Sequence, residues 1–192
     1  MTTLTLNDDF LKSENLDNNL QKNIEKKAII SINKLELSQF TNYRLKTKNN
    51  QLDLNCLEKS LSSIKENTLD EILILEDFLK FSRKEVLLAC RFFYRLLKNN
   101  GSIAIECPDL SKIISGIQAS DQSSLLPGAE NLISLIFGDV TSEGYLLPNK
   151  WGYSIHTLGM LLNQAGFSDF TEEMPLYSVN NEHFFRISAK KL

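Results

Sequence analysis

Two hydrophobic periods alternate across residues 69–107, and that alternation leaves few folds open. LDEILILED (69–77) is an apolar run flanked by acids, the look of a strand buried on both faces. Ser82 and Glu85 then form an S-x-x-E capping box. Behind it Val86, Leu87, Cys90, Phe93 and Leu97 trace one helical face, with Arg83, Lys84, Arg91 and Lys98 elsewhere. Asn99-Asn100-Gly101 offers left-handed residues for the C-cap. SIAIEC (102–107) is the next strand, stopped by Pro108. Strand, helix, strand with short connections is the rhythm of a parallel sheet with right-handed crossovers.

The flanks extend this pattern. AIISIN (28–33) reads as the first strand and NYRLK (42–46) as a polar second one. Leu57, Leu61 and Ile64 mark a helix over 55–66, with Asn55 as its cap and Glu58 three residues on. After Asp109 come short helices at 111–116 and 129–137, separated by a polar loop at 120–128. Residues 138–152 are turn-rich. Ser154 to Ala165 is an amphipathic helix with Leu158, Leu161, Leu162 and Ala165 on one stripe and Gly166 at C′. Strands at 170–174 and 183–190, joined across Pro175 to Asn181, close the chain as a hairpin. Residues 1–26 are rich in Asn, Asp, Glu and Lys, with Leu16, Leu20 and Ile24 at helical spacing. They read as an arm, partly helical or disordered, ahead of a single domain over 27–192.

Composition removes several function classes. Of 192 residues, 23% are charged and the net charge is -3, so nothing points to a nucleic-acid binder. No apolar run approaches the roughly 18 residues of a membrane span, and Met1 to Phe10 lack the pattern of a signal peptide. Cys56, Cys90 and Cys107 are widely spaced and odd in number. They read as small buried hydrophobes in a reducing cytoplasm, not as a disulfide framework or zinc site. With only His156 and His183, no histidine-based metal centre is expected.

Four stretches, taken in order, carry a resemblance. Residues 69–81 (LDEILILEDFLKF), 92–110 (FFYRLLKNNGSIAIECPDL), 149–170 (NKWGYSIHTLGMLLNQAGFSDF) and 183–191 (HFFRISAKK) resemble successive segments of one family. It is the class I S-adenosylmethionine-dependent methyltransferases, in the branch called type 11. The resemblance runs from Asp53 to the C-terminus. It implies a Rossmann-like α/β sheet of seven strands, six parallel and the last antiparallel, with helices on both faces. Cofactor would sit at the carboxyl ends of the strands. From Ala28 to Asp53 the chain is tight for a strand, helix and strand, which usually take about 30 residues, so the first crossover reads as shortened.

The same resemblance assigns roles and exposes a break. Asn33 stands where the family's glycine loop opens against the cofactor, and Asp53 and Leu54 match its acid-leucine pair on the adenine side. Leu75, which the resemblance places among the cofactor-binding residues with Asn33, Asp53 and Leu54, and Glu76 are retained from its fourth-strand motif, while Leu73 and Asp77 replace histidines. Glu76 and Asp77 are thus the candidate catalytic pair, a general base or cation site beside the transferred methyl. Asp109, Trp151, Tyr153 and His156 would line the substrate side. The implied reaction is methyl transfer from S-adenosylmethionine to a small molecule or glycan precursor. No glycine occurs before Gly101, however, and Lys46, Thr47 and Lys48 stand where the ribose acid belongs. A Cβ in that loop collides with the cofactor. The alternative is a non-catalytic module that keeps the fold and binds a protein partner.

Overall fold

Lys27–Ser31 (β1), Thr41–Arg44 (β2), Leu69–Ile74 (β3), Leu97–Pro108 (β4), Ser168–Glu173 (β5) and Phe184–Lys190 (β6) form one sheet in the order β2-β1-β3-β4-β6-β5. β1 to β4 pair in parallel, and β6 runs antiparallel between β4 and β5. The computed structural model describes residues 25–31, 39–46, 52–119, 127–138, 148–178 and 181–192. Most of the N-terminal arm, Asn33, and the segments 120–126 and 139–147 lie outside the described residues. Six strands, one fewer than the resemblance implies, are present among the described residues. None of the described helices is long and apolar enough to cross a membrane.

Helices Leu54–Ser60 (α1), Arg83–Leu96 (α2) and Ile155–Ala165 (α5) cover one face of the sheet. Val86, Cys90 and Phe93 of α2 and Leu158 and Leu162 of α5 meet Ile72, Ile105 and Ile187 there, all fully or almost fully buried. The stripes read from the sequence are therefore the stripes that pack, and all three cysteines are buried thiols outside any disulfide. On the other face Ile29, Leu73 and Ala104 form a smaller cluster with Phe40 and Leu75. Leu110–Ala119 (α3) and Pro127–Phe137 (α4) follow β4 and pack on one another.

Three expected boundaries move. α1 starts at Leu54, not beyond Asn55, because Asp53 takes the cap position: its Oδ1 accepts from Cys56 N at 2.7 Å. β3 stops at Ile74, and Glu76–Lys80 turns into a short 3₁₀ helix that drops Phe78 and Leu79 into the core. Glu76 and Asp77 thus lie beyond the strand, not at its end.

The largest correction concerns Asn99-Asn100-Gly101, which does not cap α2. The helix ends at Leu96, and Leu97 already pairs with Leu69 in β4. The pairing then jumps to Glu71 with Ser102, so β4 bulges through these residues, with Asn100 left-handed (φ 64°). A Cβ on Gly101 would stand 2.9 Å from the carbonyl oxygen of Lys98 and 3.1 Å from that of Leu69. The helix needs no glycine cap because tertiary partners take its last carbonyls. Asn67 N donates to Arg95 O and Thr68 N to Leu96 O. The buried ammonium of Lys191 donates to Tyr94 O (3.0 Å), Leu97 O (2.8 Å) and Asn67 Oδ1 (2.7 Å).

Lys191 therefore closes the helix, the turn and the bulge together. Replacing it by Met takes the donor from all three acceptors, of which Leu97 O is buried. The Lys191→Met variant should lose about 2–4 kcal/mol of stability, read as a lower denaturant midpoint. An unchanged midpoint contradicts this account.

Candidate functional site

The carboxyl ends of β1 to β3 are where a sheet of this topology receives a ligand. Around them the polar groups are already joined to one another. Asp53 caps α1, and hydrogen bonds from the Cys56 backbone and thiol, then from the Asn55 backbone, hold its carboxyl below the usual range. The backbone N–H of Leu54 donates to Glu85 Oε1 at 3.3 Å. Glu85 Oε2 accepts from the N–H of Ser82 at 3.1 Å and from its hydroxyl. Burial pushes Glu85 up, but the bonds from Ser82 and Leu54 and the nearby charge of Lys150 outweigh it, and the pKa is lowered. Lys150 Nζ donates to Leu52 O at 2.8 Å, and its N–H donates to Leu79 O. Lys80 Nζ meets Asn149 Oδ1 at 2.6 Å. The segment 149–150 is thereby strapped across the starts of α1 and the 3₁₀ helix.

Of the remaining candidates, Asp109 and Tyr153 are joined by a β-bridge and the others are dispersed. Asp109 is buried and caps α3, accepting from Ser111 N (2.9 Å) and Lys112 N (3.4 Å). Trp151 is exposed, with the Arg83 guanidinium 5.1 Å from its ring centre. Tyr153 is buried against Phe78, 5.6 Å between ring centres. His156 is exposed and faces the cavity that holds Met160 and Phe170. The expected aromatic wall of Trp151, Tyr153 and His156 is thus three separate environments. Leu54 and Leu75 are half-buried and pack on the two core clusters. Asp77 is half-buried, and the side chain of Glu76 lies outside the described ones.

Sequence reading missed Glu85 as a link between helices, and Lys150 altogether. The S-x-x-E box left one carboxylate oxygen unassigned, which was the available signal for Glu85. No local pattern announces a lysine that reaches Leu52 from 98 residues away. A cavity of about 680 Å³ opens at the other end of the sheet, beside Lys27, Thr41 and Leu69 at the amino ends of the strands.

No family model matches the chain, and no curated protein does. Solved structures do match. A SAM-dependent methyltransferase from Archaeoglobus fulgidus is similar at 13% identity and a TM-score of 0.51, over 95% of this chain and 94% of that one. A Pyrococcus horikoshii OT3 protein gives 13% and 0.51 over 97% and 93%. The chain has the methyltransferase fold. At such identities the likeness is one of fold and leaves the activity open. A SAM-dependent methyltransferase from Thermotoga maritima is 17% identical with a TM-score of 0.43 over 68% of this chain, which spans 59% of its length.

Two outcomes follow from the site geometry. The Tyr153 hydroxyl is buried with no hydrogen-bond partner among the described residues, and burial pushes its pKa up. Tyr153→Phe removes that uncompensated group and should stabilise the fold by about 1 kcal/mol in thermal unfolding. Marked destabilisation would mean that the hydroxyl has a partner. Asp53 and Glu85, both with lowered folded pKa values, contribute stability that is present above the unfolded carboxylate range and lost as pH falls through the folded values. From about pH 5 to pH 3, the melting temperature of an Asp53→Asn, Glu85→Gln variant should fall less than that of the wild type. Parallel curves would show that these two carboxylates contribute no linkage.

Proposed function

We propose that the chain keeps the methyltransferase fold as a binding or scaffolding module, with S-adenosylmethionine binding weakened or lost. The observation that carries this reading is the donation of Leu54 N–H to Glu85 beside the carboxylate of Asp53, which caps α1. A nucleotide held there must break that bond or do without the donor. A hydrogen bond to a charged acceptor is worth about 1.5–3 kcal/mol, or about 10 to 10²-fold in affinity. The loop ahead of β2 adds a second cost, because every residue before Gly101 carries a Cβ. The cofactor implied by the resemblance does not fit these groups as they stand, so no catalytic role is assigned to Glu76 or Asp77.

The fold itself favours a second reading, methyl transfer to a small molecule or glycan precursor. A sulfonium donor carries its own activation, so such an enzyme needs alignment more than acids and bases. Asp109, Trp151 and Tyr153 weigh against it, since each is occupied in capping or packing. Three reduced, buried cysteines suit a cytoplasmic location.

Isothermal titration with S-adenosylmethionine and S-adenosylhomocysteine separates the two. The module reading expects no binding tighter than about 100 μM. Low-micromolar binding of either compound overturns it.

A further inference from the structure

Glu106 interrupts the apolar run of β4, is wholly buried, and faces away from the main core. Its carboxylate is filled by the loop that joins β5 to β6. Leu176 N, Tyr177 N and Ser178 N donate at 2.9, 2.9 and 2.7 Å, and the Ser178 hydroxyl donates at 2.6 Å. Arg186 stands beside it, its Nε on Glu173 at 2.9 Å and its guanidinium over the Tyr177 ring. A backbone pinned inward in this way turns its side chains outward. Met174 is 75% exposed and Leu176 65%, and Tyr177 is exposed as well.

Met174 borders a cavity of about 520 Å³ on the same face of the sheet as Glu106, lined also by Pro175, Phe184, Glu172 and Glu182. The cavity of about 430 Å³ between α5 and β5, against Met160 and Phe170, lies on the opposite face, beside Ile187. An exposed apolar patch with a polar rim, held rigid by a buried carboxylate, is the form of a recognition surface. The rim is acidic. Glu173 is committed to Arg186, and Lys112 donates to Phe184 O. Glu172 and Glu182 face solvent, Glu182 with its carboxylate 3.6 Å from the His183 ring.

We propose that this end of the sheet docks an amphipathic, basic segment of a partner protein. Its apolar side chains would enter the 520 Å³ cavity against Met174 and Phe184, beside the exposed Leu176, and its lysines or arginines would meet Glu172 and Glu182. Charge decides the occupant. An anionic membrane is repelled by this rim, and a second copy of the chain would bring the same acids to the contact.

The test titrates the full chain with a synthetic Leu/Lys amphipathic peptide and a Leu/Glu peptide of the same pattern. The Leu/Lys peptide should bind saturably and the Leu/Glu peptide about tenfold more weakly or not at all. Met174→Ser with Leu176→Ser, and separately Glu172→Lys with Glu182→Lys, should each weaken the first peptide about tenfold. All four side chains are exposed, so melting should stay at the wild-type value; if a pair melts lower, Leu176→Ser alone replaces it. Equal binding of the two peptides, wild-type affinity in both variants, capture by phosphatidylcholine vesicles, or a dimer dissolved by Leu176→Ser overturns the proposal. None of these readouts depends on whether a nucleotide binds beside Asp53.

Discussion

The carboxylate of Glu85 is shared by two helices. One oxygen closes the capping box at the start of α2, and the other takes the N–H of Leu54 at the start of α1. Neither helix start can shift without breaking a bond to a charged acceptor. Asp53 and Leu52 are held in place with them, and Lys150, 98 residues along the chain, donates to Leu52 O. The polar groups at the carboxyl ends of β1 to β3 are fixed by this arrangement. It converts groups that could face a ligand into groups that hold the chain together.

The same device recurs. Lys191 gathers three oxygens where α2 turns into β4, and Glu106 gathers four donors from the loop after β5. Each is a buried charge with its hydrogen bonds filled, which is the condition under which such burial is tolerated. Each also ties the sheet to a segment distant in sequence. Tyr153 differs, a buried hydroxyl with no hydrogen-bond partner among the described residues.

Local pattern and tertiary bonding were not equally legible. The box at Ser82 and Glu85, the stripe of α2 and the Ser154 to Gly166 helix are written in residues a few positions apart, and they stand where periodicity puts them. The order of elements, together with the resemblance, led to the methyltransferase sheet that the Archaeoglobus structure shares. The misread boundaries have long-range causes. Asn99-Asn100-Gly101 looks like a cap, yet Asn67, Thr68 and Lys191 had already satisfied the helix, which freed those residues to bulge. LILED looks like a strand end, yet burial of Phe78 and Leu79 bends the chain first. Among the site residues, the capping reading of Asp53 could be had from the sequence, but the engagement of Leu54 could not, because its partner lies 31 residues away.

A single spectrum addresses the central claim. Following the Leu54 and Cys56 amide resonances while S-adenosylmethionine is added tests whether those donors are committed. If they belong to Glu85 and Asp53 as the structure has them, both resonances stay in place through millimolar additions. Saturable displacement of either one at micromolar concentration would contradict the account.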